Sequence, residues 1–218
     1  MIESKSDLKK IICSNNQDIL EQFLQRFPEQ IDLFVQELFT AFSSYKLLDG
    51  RCVNDEQKSY IAAYIFQALN NLIISFNLLI FGNWMASGNF IRQYLESIFM
   101  AILFSHPRLD KDYFQEFRKL GNEFKVYKCF DYVEKNLDYL DIDPSAWENI
   151  KKTRTNYNAY SHSSPLSLTN IISFSNHGAI IGFEYDVEKE DFYIKEIFLR
   201  ISAAKNLQNV IDYLNSKE

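Results

Sequence analysis

The sequence predicts a mainly α-helical fold: a multi-helix bundle with a small β-hairpin near residues 170–185 and a C-terminal helix. Three observations carry that expectation. Gly (6) and Pro (4) are scarce among 218 residues, which favours long regular elements over elaborate loops. Residues 59–91, 33 in a row, carry no charge, and a helix that is apolar all round belongs in the middle of a bundle. Apolar side chains also recur at helical spacing, as in Ile31, Phe34, Val35, Leu38, Phe39 and Phe42.

Each element has a local reason. Ser6 and Asn16 are candidate caps for two short N-terminal helices, the second running from Gln17 to Phe27. Pro28 suits the first turn of a third helix, which reaches about Leu48 before the turn at Asp49-Gly50. Asn54 to Gln57 resembles a capping box that opens the uncharged helix, ending near Phe81. Gly82-Asn83 and Ser87-Gly88-Asn89 are candidate breaks, and the next helix carries Arg92 and Glu96 to about Ser105. His106-Pro107 stops it. A charged amphipathic helix follows from Asp110 or Asp112 to about Tyr139, with a break near Gly121. Asp143 and Pro144 open a helix that ends near His162. Asn170–Ser175 and Ala179–Tyr185 read as strands around Asn176-His177-Gly178. Asp186–Asp191 reads as a solvated turn, and a helix covers about Glu196–Leu214. No internal repeat or low-complexity linker interrupts the chain, so one helical domain over 1–218 is expected: N-terminal helices to 50, a central bundle over 54–162, and the hairpin with the terminal helix over 170–218.

Composition narrows the function classes. A net charge of −6 opposes a broad basic surface for nucleic acid, though not a small local RNA site. Cys13, Cys52 and Cys129 are odd in number, far apart and lack metal-ligand spacing, so reduced thiols, a cytoplasmic location and no structural metal are expected. No phosphate-binding glycine loop occurs, and no cofactor is expected. The segment 61–81 is long enough to span a bilayer. It contains Gln67, Asn70, Asn71, Ser75 and Asn77, which are costly in hydrocarbon, so no membrane is expected.

Two constellations carry candidate chemistry. Arg92 and Glu96 stand four apart in apolar sequence, so they share a helical face and can pair. Such a pair either fixes register or serves a site. The second constellation runs from Arg154 to His162. With Arg154 at zero on a helical wheel, Asn158 falls near about 40°, Ser161 near about −20° and His162 near about 80°. Ile150 and Trp147 continue that face one and two turns earlier. A polar stripe that extends a core-facing stripe lines a pocket or caps a helix end. His106 reads as a helix-end residue and His177 as a hairpin tip.

A helical bundle with an Arg and a His on one late helix resembles the HEPN superfamily, many of whose members are metal-independent ribonucleases of toxin–antitoxin and antiviral defence systems. The resemblance rests on Arg154, followed by Thr155, and on His162 beyond a gap longer than the family's usual one. The chain also looks similar to a group of bacterial helical proteins through Arg92-x-x-x-Glu96, the stretch Tyr157–His162 and the tail Gly182–Asp186. The resemblance implies His162 as general base toward a ribose 2′-hydroxyl and Arg154 as stabiliser of the phosphate. Arg92, Glu96, Asn158 and Ser161 would support them, and a homodimer would act on RNA. The other reading is a non-catalytic interaction or regulatory subunit of a defence operon. In it Arg92, Glu96, Arg154 and His162 form a structural network, and exposed aromatics such as Tyr113 and Tyr139 meet a protein partner. The two stripes are expected to meet.

Overall fold

A computed structural model describes residues 4–106, 112–160, 168–169 and 171–216. The chain is mainly helical, as its composition predicts, with one two-stranded antiparallel hairpin and a long C-terminal helix.

Helices α1 (Lys5–Ile12) and α2 (Gln17–Arg26) lead into α3 (Pro28–Gly50). The cap of α1 is Ser4, whose hydroxyl accepts from the Asp7 amide at 3.2 Å, rather than Ser6. Asn16 does precede α2, but in a left-handed conformation (φ 49°) and with no side-chain cap.

The uncharged run forms two helices, α4 (Glu56–Ile80) and α5 (Trp84–Ser105), folded back on each other through Gly82. Gly82 adopts φ +84°, a conformation that costs other residues a steric clash. Asp55, inside the expected capping box, is the working cap of α4 and accepts from the Lys58 amide at 3.0 Å. Ile65, Leu69, Leu72 and Leu79 on α4 are fully buried, as are Ile91, Met100, Leu103 and Phe104 on α5. Among the described residues α4 is the one helix long and apolar enough to cross a membrane, and 44% of its most apolar stretch is buried. Its exposed residues, among them Phe66, Gln67, Asn70 and Ile73, form an uncharged outer face.

Ser87-Gly88-Asn89 does not break the chain. These residues lie within the first two turns of α5, capped by Asn83 through the Ala86 amide at 3.2 Å. Gly88 is a contact point: a β-carbon there would lie 2.6 Å from Tyr160 Cδ1 and 2.9 Å from Tyr157 Cδ1.

The expected long helix after residue 110 is two shorter ones, α6 (Tyr113–Leu120) and α7 (Cys129–Lys135), separated at Gly121 by φ +51° and two single 3-10 turns. Tyr113, anticipated as an exposed partner contact, is 2% exposed and packs edge-on against Tyr132 at 4.4 Å. Tyr139 is 50% exposed, with its ring near His106.

Helix α8 is described over Pro144–Tyr160, and Asp143 caps it through the Ser145 and Ala146 amides at 2.8 and 2.9 Å. The hairpin is shorter than anticipated: β1 (Ile172–Ser173) pairs with β2 (Gly178–Ala179), and His177 sits in the connecting turn at φ 51°. Asp186 holds its base. The carboxylate accepts from the Phe174 amide at 2.7 Å, from the Glu188 amide at 3.1 Å and from the Ser175 hydroxyl. Helix α9 spans Glu190–Ser216 and starts six residues before the expected point. Glu190 and Asp191 sit in its first turn, where the helix dipole favours negative charge. Helix α9 packs along α3 and against α4 and α5.

Candidate functional site

The densest polar cluster is buried at the crossing of four helices and centres on Arg200 of α9, which is fully enclosed. Its Nη1 donates to Glu196 Oε2 at 2.7 Å and to the Glu196 carbonyl at 2.7 Å. Nε donates to Ser75 Oγ of α4 at 2.9 Å, and Nη2 to Ser87 Oγ of α5 at 2.6 Å. The two serines clasp each other: Ser75 Oγ donates to the Ser87 carbonyl at 2.9 Å, and Ser87 Oγ to the Ser75 carbonyl at 2.6 Å. From α8, Tyr157 OH donates to Glu196 Oε2 at 2.9 Å and Tyr160 OH to Oε1 at 3.1 Å. Both carboxylate oxygens and all three guanidinium nitrogens are therefore engaged. Burial alone would lower the Arg200 pKa; its electrostatic interactions with Tyr157 and Glu196 and its hydrogen bond to the Glu196 carboxylate outweigh burial and hold the value raised. Burial pushes both tyrosine hydroxyls well up. The cluster is a buried lock between helices, with Arg200 fully enclosed and only a small edge at Glu196 and Tyr160 reaching solvent.

Sequence reasoning missed this pair. Glu196 and Arg200 show the same signal that singled out Arg92 and Glu96, opposite charges four apart among Ile194, Ile197, Leu199 and Ile201.

Arg92 and Glu96 lie elsewhere and are less enclosed, with side chains 37% and 26% exposed and a 3.5 Å ion pair. The Arg92 Nε is buried, yet it makes no hydrogen bond among the described residues. Arg154 of α8 places its guanidinium 4.0 Å from the centre of the Phe130 ring of α7, a cation–π contact. The thiol beside that ring, Cys129, is pushed up to about 12, chiefly by burial and then by the charge of Glu96, with Arg154 opposing. Glu96 and Arg154 thus both bear on Cys129, at the seam where α7 and α8 pack on α5. Asn158 of α8 is partly buried. Ser161 and His162, the other residues of that stripe, lie outside the described residues. Of the described residues expected in one structural network, Arg92, Glu96 and Arg154, none belongs to the Arg200 lock.

On the other flank of α8 an open cleft of about 580 Å³ lies over α5. Ile91, Leu95 and Ile98 form its floor, Ile150 of α8 one wall, and Leu199 and Val210 of α9 the other. Asn149, Thr153, Ser202, Asn206 and Asn209 supply uncharged polar groups, and Asp141 and Asp143 stand at the α8 N-terminal end. Ser145 and the backbone amides hold the Asp143 carboxyl below its ordinary value. Among the described residues, no three His, Cys, Asp or Glu side chains gather where they could hold a metal ion.

No protein-family profile matches the chain, and no curated protein or solved structure matches it either.

Proposed function

We propose that the chain is a non-catalytic binding protein and that the cleft between α5, α8 and α9 is its working site. The observation behind this reading is the cleft's size and lining. Its about 580 Å³ falls within the roughly 300–1,000 Å³ usual for small-molecule sites, which are mostly apolar with a few placed polar groups. The floor and walls favour a hydrocarbon chain. The amides of Asn149, Asn206 and Asn209 can donate to or accept from its polar end, and Asp141 and Asp143 disfavour an anionic one. The occupant is an amphiphile with a neutral or cationic head. Titration with decanol, decylamine and decanoate tests it by calorimetry. Alcohol and amine should bind, decanoate more weakly, and Ser202→Trp should abolish binding with the melting temperature held. Binding by none of the three, or binding indifferent to Ser202→Trp, sinks the reading.

A second reading is a metal-independent ribonuclease of a toxin or anti-phage system, centred on the α5–α7–α8 seam. Its support is Arg92, whose Nε is ion-paired to Glu96 at 3.5 Å but makes no hydrogen bond among the described residues, together with a second guanidinium, Arg154, on α8; guanidinium groups suit phosphate. Arg154 would stabilise the phosphate charge and His162 would take the 2′-hydroxyl proton. RNA cleavage in EDTA should then persist in the wild type and vanish in both Arg154→Ala and His162→Ala. Cleavage unchanged by these substitutions, or absent throughout, removes it.

A further inference from the structure

The outer faces of α3 and α4 form an apolar ridge that neither binding reading uses. Val35 and Phe39 of α3 are 57% and 71% exposed, and Phe66 and Ile73 of α4 are 51% and 39% exposed. The two helices run antiparallel side by side. Phe34 stacks on Phe76 at 3.9 Å, and Tyr45 meets Phe66 at 5.7 Å. This register brings Phe39 level with residues 71–72 of α4, between the exposed Phe66 and Ile73. On α3, Asp32, Val35, Phe39, Phe42 and Lys46 follow one another at steps of three and four, which confines them to a stripe about 80° wide. That is a heptad seam of the kind by which helices pair. Phe39 is its midpoint: Asp32 lies seven residues before it and Lys46 seven after. Both charged residues are exposed, and among the described residues neither has an ion-pair partner.

We infer that this ridge pairs with a second copy of the chain about a two-fold axis through Phe39. The axis sets α3 antiparallel to its mate, so Asp32 of each copy faces Lys46 of the other, and both ion pairs form at once. A parallel pairing would oppose like charges. The neighbouring α4 face contributes Ala63, Gln67, Asn70 and Asn77 and no charge, so the net −6 of each copy is kept off the contact. Two helices side by side, each about 10 Å across and about 30 Å long, offer a face on the order of 600 Å². That approaches the about 800 Å² per partner of a standard specific interface. Asp32 on the seam and the acidic total argue against a bilayer as occupant.

Sedimentation equilibrium on the full chain tests this. The wild type should be dimeric, and Phe39→Glu should be monomeric at an unchanged melting temperature, as should Val35→Glu. Asp32→Lys and Lys46→Asp should each weaken the dimer by about tenfold or more, because each turns two attractions into two repulsions. The double variant D32K/K46D should restore it. A wild type that is monomeric at every concentration, a dimer that survives Phe39→Glu, or a double variant no better than the single ones overturns the assignment. So does wild-type binding to neutral phosphatidylcholine vesicles that Phe39→Glu abolishes.

Discussion

Gly88 of α5 lies so close to Tyr160 of α8 that a β-carbon on the glycine would fall 2.6 Å from the ring carbon Cδ1. The absence of a side chain lets α8 approach and deliver the Tyr157 and Tyr160 hydroxyls to Glu196. Gly88→Ala sets two effects against each other. Alanine favours the helix by about 1 kcal/mol, whereas an overpacked contact costs about 1–3 kcal/mol. With two rings inside 3.0 Å of the new carbon, the clash should win. Urea denaturation should show a net loss of about 1–2 kcal/mol.

Arg200 and Glu196 should behave as a unit. Arg200→Met leaves the carboxylate of Glu196, a residue 8% exposed, without its cation. Removing one partner of a buried pair costs about 3–5 kcal/mol. Replacing both, as R200M/E196L, should cost less than the Arg200→Met change alone, because no orphaned charge is left. The measurement is the coupling energy from the four denaturation curves.

Asp186 should make the hairpin acid-labile. Burial would raise its pKa, but the Ser175 hydroxyl, the Phe174 and Glu188 amides and Lys189 together hold it below the ordinary 3.8. A folded-state value below the unfolded one stabilises the protein fully above about pH 4–5. That contribution is lost as pH falls through the lowered value. Melting temperature against pH should therefore drop more steeply below pH 4 in the wild type than in Asp186→Asn. The variant should also be less stable at neutral pH.

Cysteine reactivity should separate Cys13 from Cys129. Cys129 is 2% exposed with its thiol pushed up to about 12, whereas Cys13 is exposed. A thiol reagent needs the thiolate. Ellman's reagent at pH 8 should modify Cys13 promptly and Cys129 only on unfolding, with mass mapping of the labelled peptides as readout.

Periodicity made the large helices legible, because apolar spacing, the Asp143 cap and a first-turn Pro144 are local signals. The internal divisions were harder, since a residue type does not reveal its contacts. Gly88 reads as a breaker yet is the point where two tyrosines press on α5. Tyr113 reads as an amphipathic surface residue yet packs on Tyr132. Glu190 and Asp191 read as a turn yet sit in the favourable first turn of α9. Among the site residues, the Arg92–Glu96 pair was visible from its spacing. The Glu196–Arg200 pair carries the same spacing, but the lock around it is not visible, because Ser75, Ser87, Tyr157 and Tyr160 come from three other helices and carry no charge. Only the fold brings them to one point.

The Arg200 lock also orders events during synthesis. Ser75 and Ser87 leave the ribosome more than a hundred residues ahead of the arginine that bonds them. Until α9 emerges, the α4–α5 hairpin lacks that donor, and α3 lacks the helix it packs along. The nascent chain must carry a largely apolar, uncharged hairpin without its final cover, a state prone to aggregation. Chains truncated before α9 should therefore accumulate as chaperone clients rather than as smaller bundles.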